Sequence, residues 1–408
     1  MVNEASYLPY GRQSIDEEDI AEVGKVLRSD WLTGGPVVGQ FESAVAALVG
    51  AHSAVAFSSG TAALHMATLG MGLGAGDTVV VPTLTFLATA NAARFMGADV
   101  VFADVDPDTG LMECEQLELA LTEVARQQGR LKAVFSVDFA GQAVPSEMLR
   151  KTLGATAKAD VAVIEDGCHA FGSQVTVDGA ERFVGAGSAS TATVFSFHPV
   201  KTIAMGEGGV VTTEDDELAR KLRVARNHGI EHEPSRFVSP DLALDRDGSV
   251  NPWYYEMQSI GFNYRASAIH CALGLSQLRK FQHFVSRRRA LASRYDSLLR
   301  PFAPVVRPLK RRQDCNPAWH LYVVRIDFAS ARKSRAAIMR ELAAQGIGTQ
   351  VHYLPLHLQP YYRERYGSRS LPGAEALYRQ MLSLPLFPGM SDDDVDRVVQ
   401  ALSRTLQH

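Results

Sequence analysis

At 408 residues the chain is too long for one simple core and predicts a large unit plus a smaller one. Hydrophobic residues make up 46% and charged residues 21%, an ordinary globular balance. The formal net charge of -4 offers no basic face, so neither nucleic acid nor a membrane surface is expected as a partner.

Met1–Arg12 carries Glu4, Tyr7 and Pro9 and lacks the apolar core of a signal peptide. No stretch approaches the ~20 apolar residues that span a bilayer. Cys114, Cys168, Cys271 and Cys315 are far apart and form no C-x-x-C pair. A cytoplasmic protein without disulfides or structural zinc is therefore expected.

From Ala51 to Asp216 short apolar runs alternate with helix-like segments, the pattern of an α/β, mostly parallel sheet covered on both faces. Strands are predicted at Ser53–Phe57, Thr78–Val81, Asp99–Asp104, Lys132–Asp138, Val161–Glu165, Thr191–Phe197 and Gly209–Thr213. Helices are predicted at Thr61–Gly70, Ala88–Met96, Cys114–Gln127 and Asp216–Asn227. Gly70-Met-Gly-Leu-Gly-Ala75 fits a dinucleotide pattern, but it follows a helix and precedes a strand, the reverse of what that fingerprint needs. Prolines and glycines between Ile230 and Gln258 predict a long irregular loop. One long helix is expected over Ala268–Leu299, leading into a smaller α+β unit. That unit has a strand at His320–Ile326, a helix at Ser334–Gln345, an extended stretch at Gly348–Tyr353 and a closing helix at Ser391–Leu406. The units divide as 1–265 and 266–408.

Four segments carry chemistry. Val161-Ala-Val-Ile-Glu-Asp166 is a buried strand ending in a carboxylate, and the carboxyl end of a parallel strand faces the crevice where such sheets bind ligands. Lys201, in Ser196-Phe-His-Pro-Val-Lys201 ahead of Gly206-Glu-Gly-Gly209, sits among apolar residues that disfavour its cation and make its amine nucleophilic. Ser58-Ser-Gly60-Thr61 turns from a strand into a helix, where free N–H groups suit a phosphate. Phe86 follows a strand and could stack on a flat ring. Each segment has a plain structural alternative: a turn cap, a surface lysine, an ordinary N-cap, a core aromatic. His352 and His357 flank Tyr353-Leu-Pro-Leu without carboxylates at ligand spacing, so they suit the lining of a substrate pocket rather than a metal.

Together these segments resemble the DegT-type sugar aminotransferases, which use pyridoxal 5'-phosphate (PLP) and have the aspartate aminotransferase fold (fold type I). The resemblance rests on S-G-T-A-A-L, P-T-L-T-F, E-D-G-C-H-A-F-G, S-F-H-P-V-K and G-F-N-Y-R, in family order. It implies that Lys201 carries the cofactor as a Schiff base and that Asp166 pairs with the pyridine nitrogen. It further implies that Phe86 stacks on the ring and His169 lies near the phenolic oxygen, with Gly60, Thr61 and Ser196 holding the phosphate. Asn263 would reach the cofactor phosphate of a neighbouring subunit, so a homodimer with shared active sites is implied. Where the family usually has an Asp after Asn-Tyr-Arg265, Ala268 stands here.

Within the family, Leu8-Pro-Tyr-Gly-Arg-Gln, Trp253-Tyr-Tyr-Glu-Met-Gln258 and Val351-His-Tyr-Leu-Pro-Leu are similar to the branch serving pseudaminic acid biosynthesis. That branch moves the amino group of L-glutamate onto C4 of a UDP-linked 4-keto-6-deoxy-N-acetylhexosamine. Arg226, His228 and the 230–258 loop are candidate walls for so bulky a nucleotide-linked keto-sugar. The alternatives are another nucleotide-linked sugar (a TDP-sugar or a C3 ketone), another PLP reaction, and a non-catalytic PLP-binding regulator.

Overall fold

A computed structural model describes residues 7–187 and 189–407; the first six residues, part of the stretch read above for a signal peptide, lie outside the described residues. No described helix is long and apolar enough to cross a membrane.

Two N-terminal helices come first, α1 (Glu17–Leu27) and α2 (Pro36–Val49). Asp16 and Asp19 cap α1 reciprocally, each side chain accepting the other's backbone N–H at 3.1 Å. The alternating part follows: β1 (Ser53–Phe57), α3 (Gly60–Gly70), β2 (Asp77–Pro82), α4 (Leu87–Phe95), β3 (Asp99–Ala103), α5 (Cys114–Arg126), β4 (Arg130–Val137), α6 (Ser146–Ala155) and β5 (Ala162–Asp166). A hairpin, β6 (Gln174–Val177) and β7 (Ala180–Phe183), precedes β8 (Ala192–Ser196), β9 (Gly209–Thr213) and α7 (Asp216–Ala225).

Seven strands form one sheet in the order β1-β9-β8-β5-β4-β2-β3. All neighbours are parallel except that β9 runs antiparallel to both β8 and β1. Alternate residues feed two cores, as a doubly covered sheet requires. Val79, Val81, Phe135 and Ile164 pack under α3, α4 and α7, while Val80, Val134 and Val163 meet Leu117, Leu121, Leu149 and Leu153 of α5 and α6. The hairpin β6–β7 was not expected; it pairs outside this sheet.

Beyond α7 the chain is mostly irregular, with β10 (Ile230–Glu231), a 3-10 turn at Pro234–Arg236, α8 (Pro240–Ala243) and β11 (Glu256–Met257). The expected single helix over 268–299 is two, α9 (Ala268–Arg279) and α10 (Phe281–Leu299), broken at Lys280. The break has a packing cause. Lys280 Nζ reaches Asp16 and Asp19 of α1 at 2.7 Å each, while Phe281 and Phe284 enter the core under α2. The remaining elements are β12 (Val306–Pro308), β13 (Cys315–Asn316), β14 (Tyr322–Ile326), α11 (Arg335–Ala344), α12 (Pro360–Tyr366), α13 (Pro372–Gln380), β15 (Met381–Leu384) and α14 (Asp392–Gln407).

Strands β12, β14 and β15 make a small antiparallel sheet, and Val324, Ile326 and Leu382 share a separate core with Leu291, Ile338, Leu342, Val398 and Leu402. The stretch Gly348–Tyr353 is not a strand; it makes one isolated bridge, Gln350 to Ser383.

Candidate active site

Strands β5 and β8 are sheet neighbours, and their carboxyl ends bring Asp166 and Ser196 to one crevice. The 35 residues from Asp166 to Lys201 (201 − 166) hold the hairpin β6–β7, but that hairpin lies outside the sheet, so the two strand ends stay adjacent. Lys201 follows in a tight turn, its N–H donating to the His198 carbonyl at 2.8 Å. Asp166, Lys201, His169, Ser196, Gly60 and Thr61 all line one cavity of about 540 Å³. Phe86 and His352 line it too, and Phe86 is exposed.

Asp166 is buried and fixed by donors: Thr89 Oγ1 at 2.6 Å and the Cys168 N–H at 3.2 Å. Thr85 steadies Thr89 at 2.8 Å. Loss of solvent pushes the Lys201 amine below the usual lysine range, against the pull of Cys168 and Asp166. The same loss pushes His169 well down, so its imidazole is neutral. The Ala140 N–H donates to His169 Nδ1 at 3.4 Å, which leaves Nε2 as the protonated nitrogen, 2.9 Å from the Tyr353 hydroxyl. Tyr353 closes the cavity opposite Phe86, ring centroids 5.9 Å apart. His352 is pushed down to about 3 by burial.

Helix α3 starts at the cavity with Ser59 as its cap, accepting the Ala62 N–H at 3.1 Å. Glycines press it onto the sheet. A Cβ on Gly60 would lie 2.8 Å from Ser196 Cβ, and one on Gly209 would lie 2.4 Å from the Ser59 carbonyl oxygen. Backbone N–H groups and the Ser196 hydroxyl are thereby left around a small concavity.

Three expected contacts lie elsewhere. Arg226 pairs with Glu42 and donates to the Ala56 carbonyl at 2.7 Å, which ties α2, β1 and α7 together away from the cavity. His228 is exposed in a turn with positive φ and does not line the cavity. His357 is buried against Thr83, Nδ1 to Oγ1 at 2.8 Å, with Glu375 at 3.4 Å on its other side, and it staples the 350–358 segment to the end of β2. Asn263, expected at a second copy's cofactor and not at its own chain's, is exposed and in a bridge with Asn227. Ala268 is buried against Val26 and Ala272, so the place of the family's Asp is apolar here.

Tyr10, Tyr353 and His320 also line the cavity and were not singled out as site residues; isolated aromatics and histidines in extended segments give no local signal.

The residues present fit PLP. A buried carboxylate with fixed donors, a lysine with a lowered pKa, an exposed aromatic and a glycine-built helix N-terminus match its ring nitrogen, aldehyde, ring face and phosphate.

The DegT/DnrJ/EryC1/StrS aminotransferase family model matches residues 13–403. The chain is 39% identical over 399 residues to the spore coat polysaccharide biosynthesis protein SpsC of Bacillus subtilis, covering 97% of this chain and 96% of that one. It is similar to the solved structure of Helicobacter pylori PseC, an aminotransferase of pseudaminic acid biosynthesis. That match has a TM-score of 0.85 and 30% identity, over 98% of this chain and 99% of that one. The sugar aminotransferase Spr1654 of Streptococcus pneumoniae in its PLP form matches with a TM-score of 0.85 at 27% identity, over 98% and 99% of the two chains. The chain therefore belongs to the DegT/DnrJ/EryC1/StrS aminotransferase family and is a PLP-dependent sugar aminotransferase of fold type I.

Proposed function

We propose that the chain moves the amino group of L-glutamate onto C4 of a UDP-linked 4-keto-6-deoxy-N-acetylhexosamine, with Lys201, Asp166 and His169 as its catalytic residues. One observation carries the reading: Asp166 and Lys201, from neighbouring strand ends, share one cavity. Bound PLP supplies an electron sink for the carbon that gives up or takes a proton. Lys201, its amine biased towards the neutral form, would attach the cofactor and, once freed, would move that proton. Asp166 would hold the ring nitrogen charged, its oxygens aimed by Thr89 and the Cys168 N–H. The neutral His169–Tyr353 pair would serve the phenolic oxygen, Phe86 would stack on the ring, and Gly60, Thr61 and Ser196 would take the phosphate. His352 belongs to the substrate side of the cavity.

The exposure of Asn263 supports its role at the phosphate of a second copy, in a homodimer with shared active sites. Exposed Val238, Trp253 and Ile260 nearby in sequence, at 73%, 74% and 77%, support a buried surface between copies. Four free cysteines support a cytoplasmic setting. The two units, 1–265 and 266–408, share the helix pair at their junction: α9 packs on α1 and α2, and α10 on α14.

Similarity to PseC supports the sugar, whereas the relative SpsC is named for spore coat polysaccharide, so a TDP-sugar or a C3 ketone is the second reading. Purified protein is expected to show visible cofactor absorbance that L-glutamate bleaches, and Lys201→Ala to lose both colour and turnover. A panel of UDP- and TDP-linked keto-sugars decides between the two readings. A colourless protein that takes up no PLP ends both.

A further inference from the structure

Arg288 of α10 is fully buried, and no ion pair includes it among the described residues. A lone buried cation is costly, and only hydrogen bonds or a counter-charge offset that cost. Here carbonyls alone do so. Nη1 donates to Trp319 at 3.2 Å, His320 at 3.3 Å and Leu386 at 3.0 Å. Nη2 donates to Val200 at 3.4 Å and Lys201 at 3.3 Å, and Nε has no partner. Three separate chain segments thus converge on one side chain, and one of them is the turn that presents Lys201.

We propose that Arg288 is a positioning residue for Lys201: it pins the lysine's backbone from behind and sets a fixed charge beside the turn that presents the amine. The inference rests on Lys201 being the reacting amine. Arg288 itself is lowered to about 10 by burial and stays charged at neutral pH. The charged and titratable groups around Lys201 are Asp166 at the end of β5, Cys168 and His169 after it, His198 and Glu207 beside the lysine in sequence, Arg288 on α10, His320 before β14, and Tyr10, His352 and Tyr353. His169, His320 and His352 are held neutral by burial, so Arg288 is the buried cation of that set. It opposes the pull of Asp166 on the same amine. A merely structural arginine would hold the segments together and leave the lysine's titration alone.

The test is competitive acetylation of the cofactor-free full-length chain across pH, read by mass spectrometry on the peptide carrying Lys201. This readout does not depend on cofactor or activity. Arg288→Met is expected to raise the Lys201 midpoint, and Arg288→Lys to keep it near the wild-type value while lowering the melting temperature. If the methionine variant does not fold, Arg288→Gln carries the same comparison. An unshifted midpoint in the uncharged variant overturns the proposal, as does a wild-type Lys201 that titrates like an exposed lysine. Failure of the functional reading shows separately, as wild-type protein that takes up no PLP.

Discussion

Glu165 and Asp166 are consecutive on β5 and therefore point to opposite faces of the sheet. Asp166 faces the cavity; Glu165 faces the underside, where Thr193 Oγ1 donates to it at 2.6 Å and Ser146 Oγ lies 3.5 Å away. Burial, with Glu147 adding to it, raises Glu165 from 4.5 to about 7. Because the folded value lies above the unfolded one, Glu165 favours the fold fully below pH 4.5, and that contribution is lost as pH rises through about 7. Glu165→Gln, which mimics the protonated acid, is expected to flatten the fall in stability between pH 5 and 8 by on the order of 2–3 kcal/mol. Urea unfolding across that range checks it, and equal slopes in both proteins would refute it. At this scale the sequence was legible where chemistry is local. Asp166, Lys201, Ser196 and Gly60 stand at strand ends and glycine turns, and they meet in one cavity. Arg226 was misread because a side chain's charge does not reveal its partner, and Glu42 lies 184 residues away.

The Arg226–Glu42 pair joins three elements, with the Ala56 N–H also donating to Glu42 at 2.8 Å. Arg226→Ala leaves a buried carboxylate unpaired and is expected to lower stability by about 3 kcal/mol with the sugar's KM unchanged. A raised KM at unaltered stability would return Arg226 to the substrate. Helix α3 makes the complementary case, because its function lies in its first turn. Gly60→Ala drives a methyl to within 2.8 Å of Ser196 Cβ, so α3 must shift from the sheet. PLP affinity is expected to fall roughly tenfold or more while the rest of the fold holds. Fluorescence titration with PLP reads this directly. The strands of the large sheet were legible as elements because both faces are apolar, but the antiparallel sense of β9 was not, since direction leaves no trace in residue type. The break at Lys280 was equally silent, being set by α1 and α2 rather than by α9 or α10.

For the whole molecule, the question is what covers the exposed Trp253, Ile260 and Asn263. If Asn263 serves a second copy's cofactor, Lys201→Ala and Asn263→Ala chains, each inactive alone, form hybrid dimers that hold one intact site. Mixing and refolding the two is expected to recover about a quarter of wild-type turnover, from random pairing with one good site per hybrid. No recovery would assign Asn263 to its own chain. A helix over 268–299 leading between two units was expected, but the packing of α9 on α1 and α2 was not, because it depends on contacts far apart in sequence.

The order of strands in the large sheet also sets a schedule. Within that sheet β1 pairs with β9, Ser53 meeting Thr213, a separation of 160 residues. During synthesis at ~5–20 residues per second, the first edge strand and the helix after it emerge several seconds before the strand that receives them. Until β9 leaves the ribosome, Val55 and Phe57 have no partner in the large sheet, so a nascent chain stopped short of residue 209 cannot join that edge to β8. Chaperone demand should therefore peak in ribosome-stalled chains shorter than this and fall once β9 has emerged.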